Sequence, residues 1–268
     1  MNFLSGRFRA RSIPRWLPAL ACVCVLVGSA APAVAEDAGG AEETKPLRVL
    51  VLYGGHGFHE ARFFGMVDGL PGVKADRLDL RKQPEKVGPE LAEKYDALLL
   101  YDMIKGLKPE HHEAYVELLN KGIGVVALHH TIGARPEWPK AAEVLGGKWI
   151  PKPETIDGRQ YSKSPWRDDV HLSIRVADPD HPITRGIEDF ELVDELYGPY
   201  YVSPKVHVLL ECDTPGANPQ VAWTHQYGNS RIFYLSLGHD NKAWSKPVYQ
   251  KLVLRGLQWV TEEASESR

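Results

Sequence analysis

Cysteine is scarce in this sequence. Of its 268 residues only three are cysteines, and two of these, Cys22 and Cys24, lie in an N-terminal segment that we expect to be removed. Cys212 would then be the single remaining thiol, so a disulfide within the chain is excluded. The fold must therefore be stabilised by a buried core, and a chain of this length is long enough to form one.

Long apolar runs are missing after residue 35, where no segment approaches the roughly 20 residues that a membrane-spanning helix needs. The first 35 residues hold four arginines and no acidic residue, then an apolar run from Trp16, and they end in Ala33-Val34-Ala35. A basic region, an apolar region and a small-x-small ending are typical of a secretory signal peptide. We therefore expect cleavage after Ala35 and an exported protein, periplasmic or extracellular, without membrane contact afterwards.

Clustered positive charge is missing as well. Loss of the 35-residue leader from 268 residues leaves 233, and the formal net charge moves from −3 to −7 because four arginines leave with it. Proteins that bind nucleic acid need clustered lysine and arginine to neutralise phosphates. A nucleic-acid partner is therefore not expected.

The chain divides by composition into four parts. The signal peptide is predicted at 1–35, and the polar stretch at 36–46, which is rich in glycine and glutamate, predicts a flexible linker. Regular apolar patterning then predicts one domain over 47–263, followed by a disordered tail at 264–268.

The first half of the domain alternates short apolar runs with helical patterns. Strands are predicted at 48–53, 73–80, 96–102 and 124–129, and helices at 60–70, 109–121 and 137–145. Strands that are apolar on both faces and separated by helices indicate a parallel sheet with helices on both faces. His111 and His112, beside two glutamates on the second helix, are expected on a solvated face.

The second half alternates apolar and polar residues instead. This pattern predicts strands at 170–177, 205–213, 219–227 and 231–237, and an amphipathic helix over 244–263. Tyr227-Gly228-Asn229-Ser230 predicts a hairpin turn between the last two strands. The whole is therefore an α/β domain with an antiparallel β extension in its C-terminal half.

Polar side chains follow the predicted strands where each strand ends. The residues in question are His56, His59, Glu60, Asp102, His129, His130, His239 and Asp240. In an open parallel sheet, ligands bind outside the carboxyl ends of the strands. We therefore expect His56, His129 and His239 to share one crevice, about 10 Å across.

A nucleophile for acyl transfer is missing from this edge. His129 occupies the strand-to-helix turn where a hydrolase of this architecture carries serine or cysteine, and Cys212 lies in a predicted core strand. HExxH, CxxC and P-loop spacings do not occur, and GGHGFH (54–59) is not a dinucleotide fingerprint. What remains is proton transfer by histidine with a carboxylate, or a metal held by histidine and carboxylate.

Five segments resemble the ThuA-like (trehalose utilisation) family of the class I glutamine amidotransferase-like superfamily: 51–60, 124–131, 178–187, 190–197 and 223–240. The resemblance implies a flavodoxin-like core and a role in carbohydrate metabolism, around disaccharides and 3-keto sugars, with a small carbohydrate ligand. It also implies loss of the amidotransferase cysteine, in keeping with His129, so glutaminase activity is not expected. The superfamily's triad histidine corresponds to His239.

The first functional hypothesis is an exported enzyme that acts on a sugar or keto-sugar by acid–base chemistry. His129 and His239 would transfer protons, and Glu195 or Asp240 would orient one of them or act as the carboxylate partner. The predicted contacts to substrate hydroxyls are His56, His59, Asp102, His130 and Tyr197.

Two other hypotheses use the same crevice. One is a non-catalytic carbohydrate-binding protein in which tryptophans stack on the sugar, the candidates being Trp138, Trp166 and Trp244. The other is a metal-dependent lyase or hydrolase in which a divalent cation is held by His56, His129 and His239.

Overall fold

The computed structural model describes residues 45–262. The predicted signal peptide, most of the predicted linker and the predicted tail lie outside the described residues. None of the helices within 45–262 combines the length and the apolar character that crossing a bilayer requires.

The described residues form a three-layer α/β fold. In chain order the strands are β1 (Leu47–Gly54), β2 (Val73–Asp79), β3 (Ala97–Asp102), β4 (Gly124–Leu128), β5 (Gly147–Lys148), β6 (Glu154–Ile156), β7 (Arg159–Tyr161), β8 (Trp166–Val176), β9 (Phe190–Tyr197), β10 (Tyr201–Val202), β11 (His207–Cys212), β12 (Gln220–Tyr227) and β13 (Ser230–Leu235). The helices are α1 (Glu60–Asp68), α2 (Leu91–Lys94), α3 (Pro109–Asn120), α4 (Ala141–Leu145), α5 (Asn241–Trp244) and α6 (Pro247–Thr261).

Nine strands form one sheet in the order β2-β1-β3-β4-β13-β12-β11-β8-β9. The first five are parallel to one another, and the remaining pairs are antiparallel. β13 is the junction, since it pairs in parallel with β4 and antiparallel with β12. The predicted parallel sheet, its helices and its antiparallel extension are confirmed.

The core lies on both faces of the parallel strands because their side chains alternate in direction. Val49 and Val51 of β1 pack on the face covered by α1 and α6, whereas Leu50 and Leu52 pack on the face covered by α3 and α4. All residues of β3 and β4 are buried. Each leucine buried in this way stabilises the fold by about 1.5–3 kcal/mol.

Two predicted helices differ from the structure, and proline explains both differences. The helix predicted at 137–145 begins only at Ala141, after turns around Pro139, which lacks the amide hydrogen that a helix interior needs. The helix predicted over 244–263 corresponds to α6, which begins only at Pro247 in its first turn, because Trp244 is the last residue of the separate short helix α5. The hairpin is confirmed, with Gly228 at φ 56°.

His112 is buried, so the expected solvated face is wrong at this residue. Its ring stacks on Trp138, with ring centroids 4.7 Å apart and planes 12° from parallel. Burial lowers the pKa of His112, which favours the neutral ring in this stack. The helical pattern could not show this contact because Trp138 lies in a turn outside the helix.

The antiparallel extension curves back over the end of the parallel strands. Five strand-to-strand steps separate β4 from β9 in the sheet order, which on a flat sheet is about 24 Å. Nevertheless Glu195 on β9 contacts His129, directly after β4, at 2.9 Å. This curvature brings the outermost strand of the sheet to the carboxyl ends of its central strands.

Candidate functional site

His129 follows β4 and begins a short 3₁₀ turn, His129–Gly133. Its φ of 42° lies in the left-handed region, which costs a residue other than glycine about 1–2 kcal/mol. Hydrogen bonds fix this conformation: the Tyr234 hydroxyl donates to the His129 carbonyl, and the His129 Nδ1 lies 2.6 Å from the Ser236 carbonyl. The turn therefore holds the His129 ring in one orientation.

His129 and Glu195 form a buried pair. The His129 Nε2 lies 2.9 Å from Glu195 Oε2, and the two side chains are 0% and 7% exposed. Because the Ser236 carbonyl can only accept, Nδ1 must carry a proton, and the Nε2–Oε2 contact holds one more. Burial acts to raise the pKa of Glu195, but the hydrogen bond and charge of His129, together with His239 and Tyr197, outweigh burial and lower the pKa, which favours the carboxylate form.

His130 and His56 complete the inner side of the site. The ring of His130 lies 4.3 Å from that of His129 and 4.2 Å from that of His56, and its Nδ1 is 2.7 Å from the Tyr197 hydroxyl. Burial and the neighbouring imidazoles lower the pKa of His130 strongly and the pKa of His56 to about 4. Both rings are therefore neutral near pH 7. Among the described residues, neither nitrogen of His56 has a hydrogen-bond partner.

His239 lies on the turn after β13, and Asp194 holds that turn. The Asp194 carboxylate accepts from the backbone N–H of Glu195 (3.0 Å), Gly238 (2.6 Å) and His239 (2.9 Å). The His239 ring lies 5.4 Å from those of His129 and His130. Its side chain is 32% exposed, with Nδ1 3.6 Å from Asp168. His239 therefore lies on the side of the site that is open to solvent.

These contacts define a histidine cluster, by which we mean His56, His129, His130 and His239. His56, His129 and His239 come together as the strand ends predicted. Glu195 and Tyr197, which no predicted strand end placed there, lie beside them, and the Tyr197 ring stacks on His129 with ring centroids 4.6 Å apart.

Asp102, His59 and Asp240 are not part of this arrangement. Asp102 is fully buried and pairs with Arg135 at 2.9 Å, so its predicted contact with substrate is wrong. His59 is exposed just before α1, where its carbonyl accepts the first helical N–H groups. Asp240 caps α5 by accepting from the Lys242 N–H at 2.7 Å, so it orients neither proton-transfer histidine.

The three tryptophans are placed differently from one another. Trp244 is buried in the core and donates to the Gly238 carbonyl, and Trp138 stacks on His112, so neither presents a face to a sugar in the cluster. Trp166 is 57% exposed and lies directly opposite Tyr197 in the β8–β9 pair.

Sequence reasoning missed Asp194, Asp168 and Trp149. Trp149 packs against Tyr197 with ring centroids 4.7 Å apart. Asp194 had a signal in the sequence, since two adjacent acids in an otherwise apolar strand indicate that one of them meets buried donors. Nothing in the pattern of residues pointed to Asp168 or Trp149.

Four groups of the site could hold a cation. His129, His130, Glu195 and His239 each offer one ligand atom, and these atoms lie within 4.8 Å of one another. This set differs from the predicted ligands, since His130 and Glu195 are present and His56 is not.

Comparisons with known proteins place this site in a recognisable fold. A family model described as ThuA, trehalose utilisation, matches residues 48–260. Comparison with curated proteins gives no match. A ThuA-like protein from Parabacteroides merdae ATCC 43184 is similar in structure, with a TM-score of 0.66 and 20% identity over 81% of this chain and 90% of that one.

Two further structures share the fold. A ThuA-like protein from Bacteroides uniformis ATCC 8492 has a TM-score of 0.60 and 18% identity over 81% of this chain and 92% of that one. A cytoplasmic protein from Salmonella typhimurium LT2 has a TM-score of 0.61 and 10% identity over 81% of this chain and all of that one.

Proposed function

This chain belongs to the ThuA family, and we propose that it is an exported protein that acts on a sugar or keto-sugar by histidine and carboxylate acid–base chemistry. Family membership gives it a broadly carbohydrate-related role. The proposal adds the site, which is the histidine cluster with Glu195, and the chemistry, which is proton transfer.

The observation that carries the proposal is the convergence of four imidazoles and a buried carboxylate at one sheet edge. A neutral imidazole both donates and accepts a hydrogen bond, which suits hydroxyl and carbonyl groups of a sugar. Imidazole is also the side chain best matched to proton transfer near neutral pH.

Within this proposal the residues have different positions relative to a substrate. His239 is accessible from solvent, and we assign it the direct proton transfer. His129 and Glu195 form the buried acid–base pair behind it, and the Tyr197 hydroxyl orients His130. Neither nitrogen of His56 has a hydrogen-bond partner among the described residues, so we assign this ring a hydrogen bond with a substrate hydroxyl.

Export is supported by the leader pattern in residues 1–35. Mass measurement of the protein recovered from outside the cytoplasm should give a chain that begins at Glu36. Recovery of a chain that retains Trp16–Ala35 would contradict this part of the proposal.

Proton exchange at carbon atoms beside the carbonyl of a 3-keto-glycoside, followed by NMR in D₂O, tests the chemistry. The wild-type protein should accelerate exchange, and His239→Ala and His129→Ala should each reduce it about 100-fold, the usual scale for a lost acid or base. The matched control is His171→Ala, which removes an exposed histidine on β8.

A binding protein is the second candidate, and exposed Trp166 opposite Tyr197 favours it as a stacking surface beside the cluster. The same samples separate the two, since calorimetry measures sugar binding while NMR measures exchange. Sugar binding without exchange in the wild-type protein would refute the enzyme and support the binding protein.

A further inference from the structure

We propose that His129, His130, Glu195 and His239 form a binding site for one divalent transition-metal cation, with Zn²⁺ as its representative. The proposal shares its residues with the proposed function but needs no assumption about the substrate. Three imidazoles and one carboxylate are a donor set that such cations accept.

The spacing of the four ligand atoms is close to what a cation requires. In a tetrahedral zinc site with bonds of about 2.1 Å, neighbouring ligand atoms lie about 3.4 Å apart. Here all four lie within 4.8 Å of one another, so inward shifts of about 1 Å complete the site. Rotation of the His239 ring, which is bound only loosely to Asp168 at 3.6 Å, can supply such a shift.

Hydrogen bonds already select the nitrogens that would bind. His129 donates Nδ1–H to the Ser236 carbonyl, so Nε2 is its ligand atom, and the proton between Nε2 and Glu195 is released to solvent when the cation binds. His130 Nδ1 is engaged by the Tyr197 hydroxyl, which leaves Nε2. A second hydrogen bond of this kind, to a carbonyl or another oxygen, is the arrangement that orients metal-ligating histidines.

One carboxylate holds two of the ligand-bearing segments together. Asp194 accepts the backbone N–H of both Glu195 and His239, although these residues come from β9 and from the turn after β13. The ligands are therefore positioned by the fold before any cation arrives, which reduces the entropy lost on binding.

His56 lies outside the ligand set. A role for His56 in the chemistry of the site rests on the proposed function. Its ring is 4.2 Å from that of His130, and both its nitrogens lack partners among the described residues. A cation on the other four groups would engage both His129 and His239, so in the metal-bound protein His56, in place of His239, is the imidazole free for proton transfer.

Titration of the metal-stripped, untagged mature protein with Zn²⁺ by calorimetry, and with Co²⁺ by visible absorption, tests the site. We expect one equivalent per chain and d–d bands typical of a low-coordinate Co²⁺. Glu195→Gln and His130→Ala should each weaken binding about 100-fold or more, and Asp194→Asn about 10- to 100-fold.

The matched control is His207→Ala. His207 lies 2.7 Å from Asp178, so it also forms a histidine–carboxylate pair, but its side chain is 58% exposed and, among the described residues, it belongs to no set of three possible ligands. Its loss should leave Zn²⁺ affinity unchanged. Circular dichroism and thermal melting identify any variant that fails to fold. If His130→Ala fails to fold, the near-isosteric Glu195→Gln still tests the site.

Equal Zn²⁺ affinity in the wild type and Glu195→Gln, or loss of binding in His207→Ala, would overturn the metal site. Keto-sugar exchange that depends on His239 in a protein that binds no Zn²⁺ would overturn the metal site and leave the proposed function standing. Stoichiometric, Glu195-dependent Zn²⁺ binding without exchange would support the metal site and refute the proposed reaction.

Discussion

Replacement of Arg135 by methionine should destabilise the protein strongly although Arg135 lies outside the histidine cluster. Arg135 is 6% exposed and pairs at 2.9 Å with Asp102, which is 0% exposed at the end of β3. Methionine retains much of the side-chain volume, so the change removes the charge and hydrogen bonds of the guanidinium and leaves the Asp102 carboxylate buried without a charged partner.

Removal of one partner from a buried ion pair costs about 3–5 kcal/mol. For a domain of this size each kcal/mol lowers the melting temperature by about 2–4 °C, so Arg135→Met should melt about 6–20 °C below the wild type. Lys108→Met is the control, because the Lys108–Glu110 pair is exposed and should contribute less than about 1 kcal/mol.

The loss of folding free energy in Arg135→Met should depend on pH in a defined direction. Burial already raises the pKa of Asp102 above its ordinary value, and loss of Arg135 should raise this pKa further. A raised folded-state pKa gives stability that is present at low pH and lost as the pH rises through that pKa. Arg135→Met should therefore be closest to the wild type near pH 4 and furthest from it at pH 8.

Urea unfolding of both proteins across this pH range measures the difference in the free energy of unfolding. The double variant Asp102→Asn with Arg135→Met should recover most of the loss, because no charge is then buried unpaired. A loss below about 1 kcal/mol at pH 8, or one that grows as the pH falls, would refute the ion-pair argument.

Three further predictions concern the backbone, a histidine and the single thiol. Gly238→Ala should destabilise by about 2–4 kcal/mol in urea unfolding, because φ is 112° and the new Cβ would overlap the Tyr249 hydroxyl; a neutral result would contradict the described turn. Burial lowers the pKa of His181 to about 4, so the stability of the wild type should fall as the pH falls from 6.5 to 4. The stability of His181→Asn, whose side chain can still accept from the Ile183 N–H, should fall less over the same range in urea unfolding. Equal losses in the two proteins would exclude His181 as a cause. Melting temperatures with and without dithiothreitol should agree because Cys212 is the one cysteine among the described residues, and a drop in reductant would indicate an intermolecular disulfide.

The elements that the sequence predicts well are those whose pattern is local. β1, β3 and β4 begin and end within about a residue of their predicted bounds, because a short apolar run rich in β-branched residues and leucine is typical of a strand buried on both faces. The final helix is predicted to begin three residues too early, because the apolar pattern includes Trp244, whereas the backbone of Pro247 sets the first turn of α6.

The sequence predicts the edge of the sheet at which the candidate site lies, but it does not predict which carboxylate pairs with which histidine. A strand end shows that His129 and His239 reach one side of the sheet, yet the carboxylate that meets each is decided by tertiary structure. Asp240 is next to His239 in sequence but caps α5, whereas Asp194 holds the turn of His239 from 45 residues away. The curvature of the antiparallel extension determines which carboxylates reach the histidines, and no local sequence pattern predicts this curvature.

The return of β9 to the central strands places part of the site on an edge strand of the sheet. β9 has a neighbour on one side only in the described sheet, and edge strands are where backbone hydrogen bonds open most readily. The contact between His129 and Glu195 closes a loop of 66 residues, and closure lowers the conformational entropy of that loop. When β9 opens and the contact breaks, the loop regains this entropy. Any ligand that bridges the two residues must therefore slow amide hydrogen exchange in β9 while leaving β1 unaffected, so occupancy can be measured from the backbone of the outermost strand.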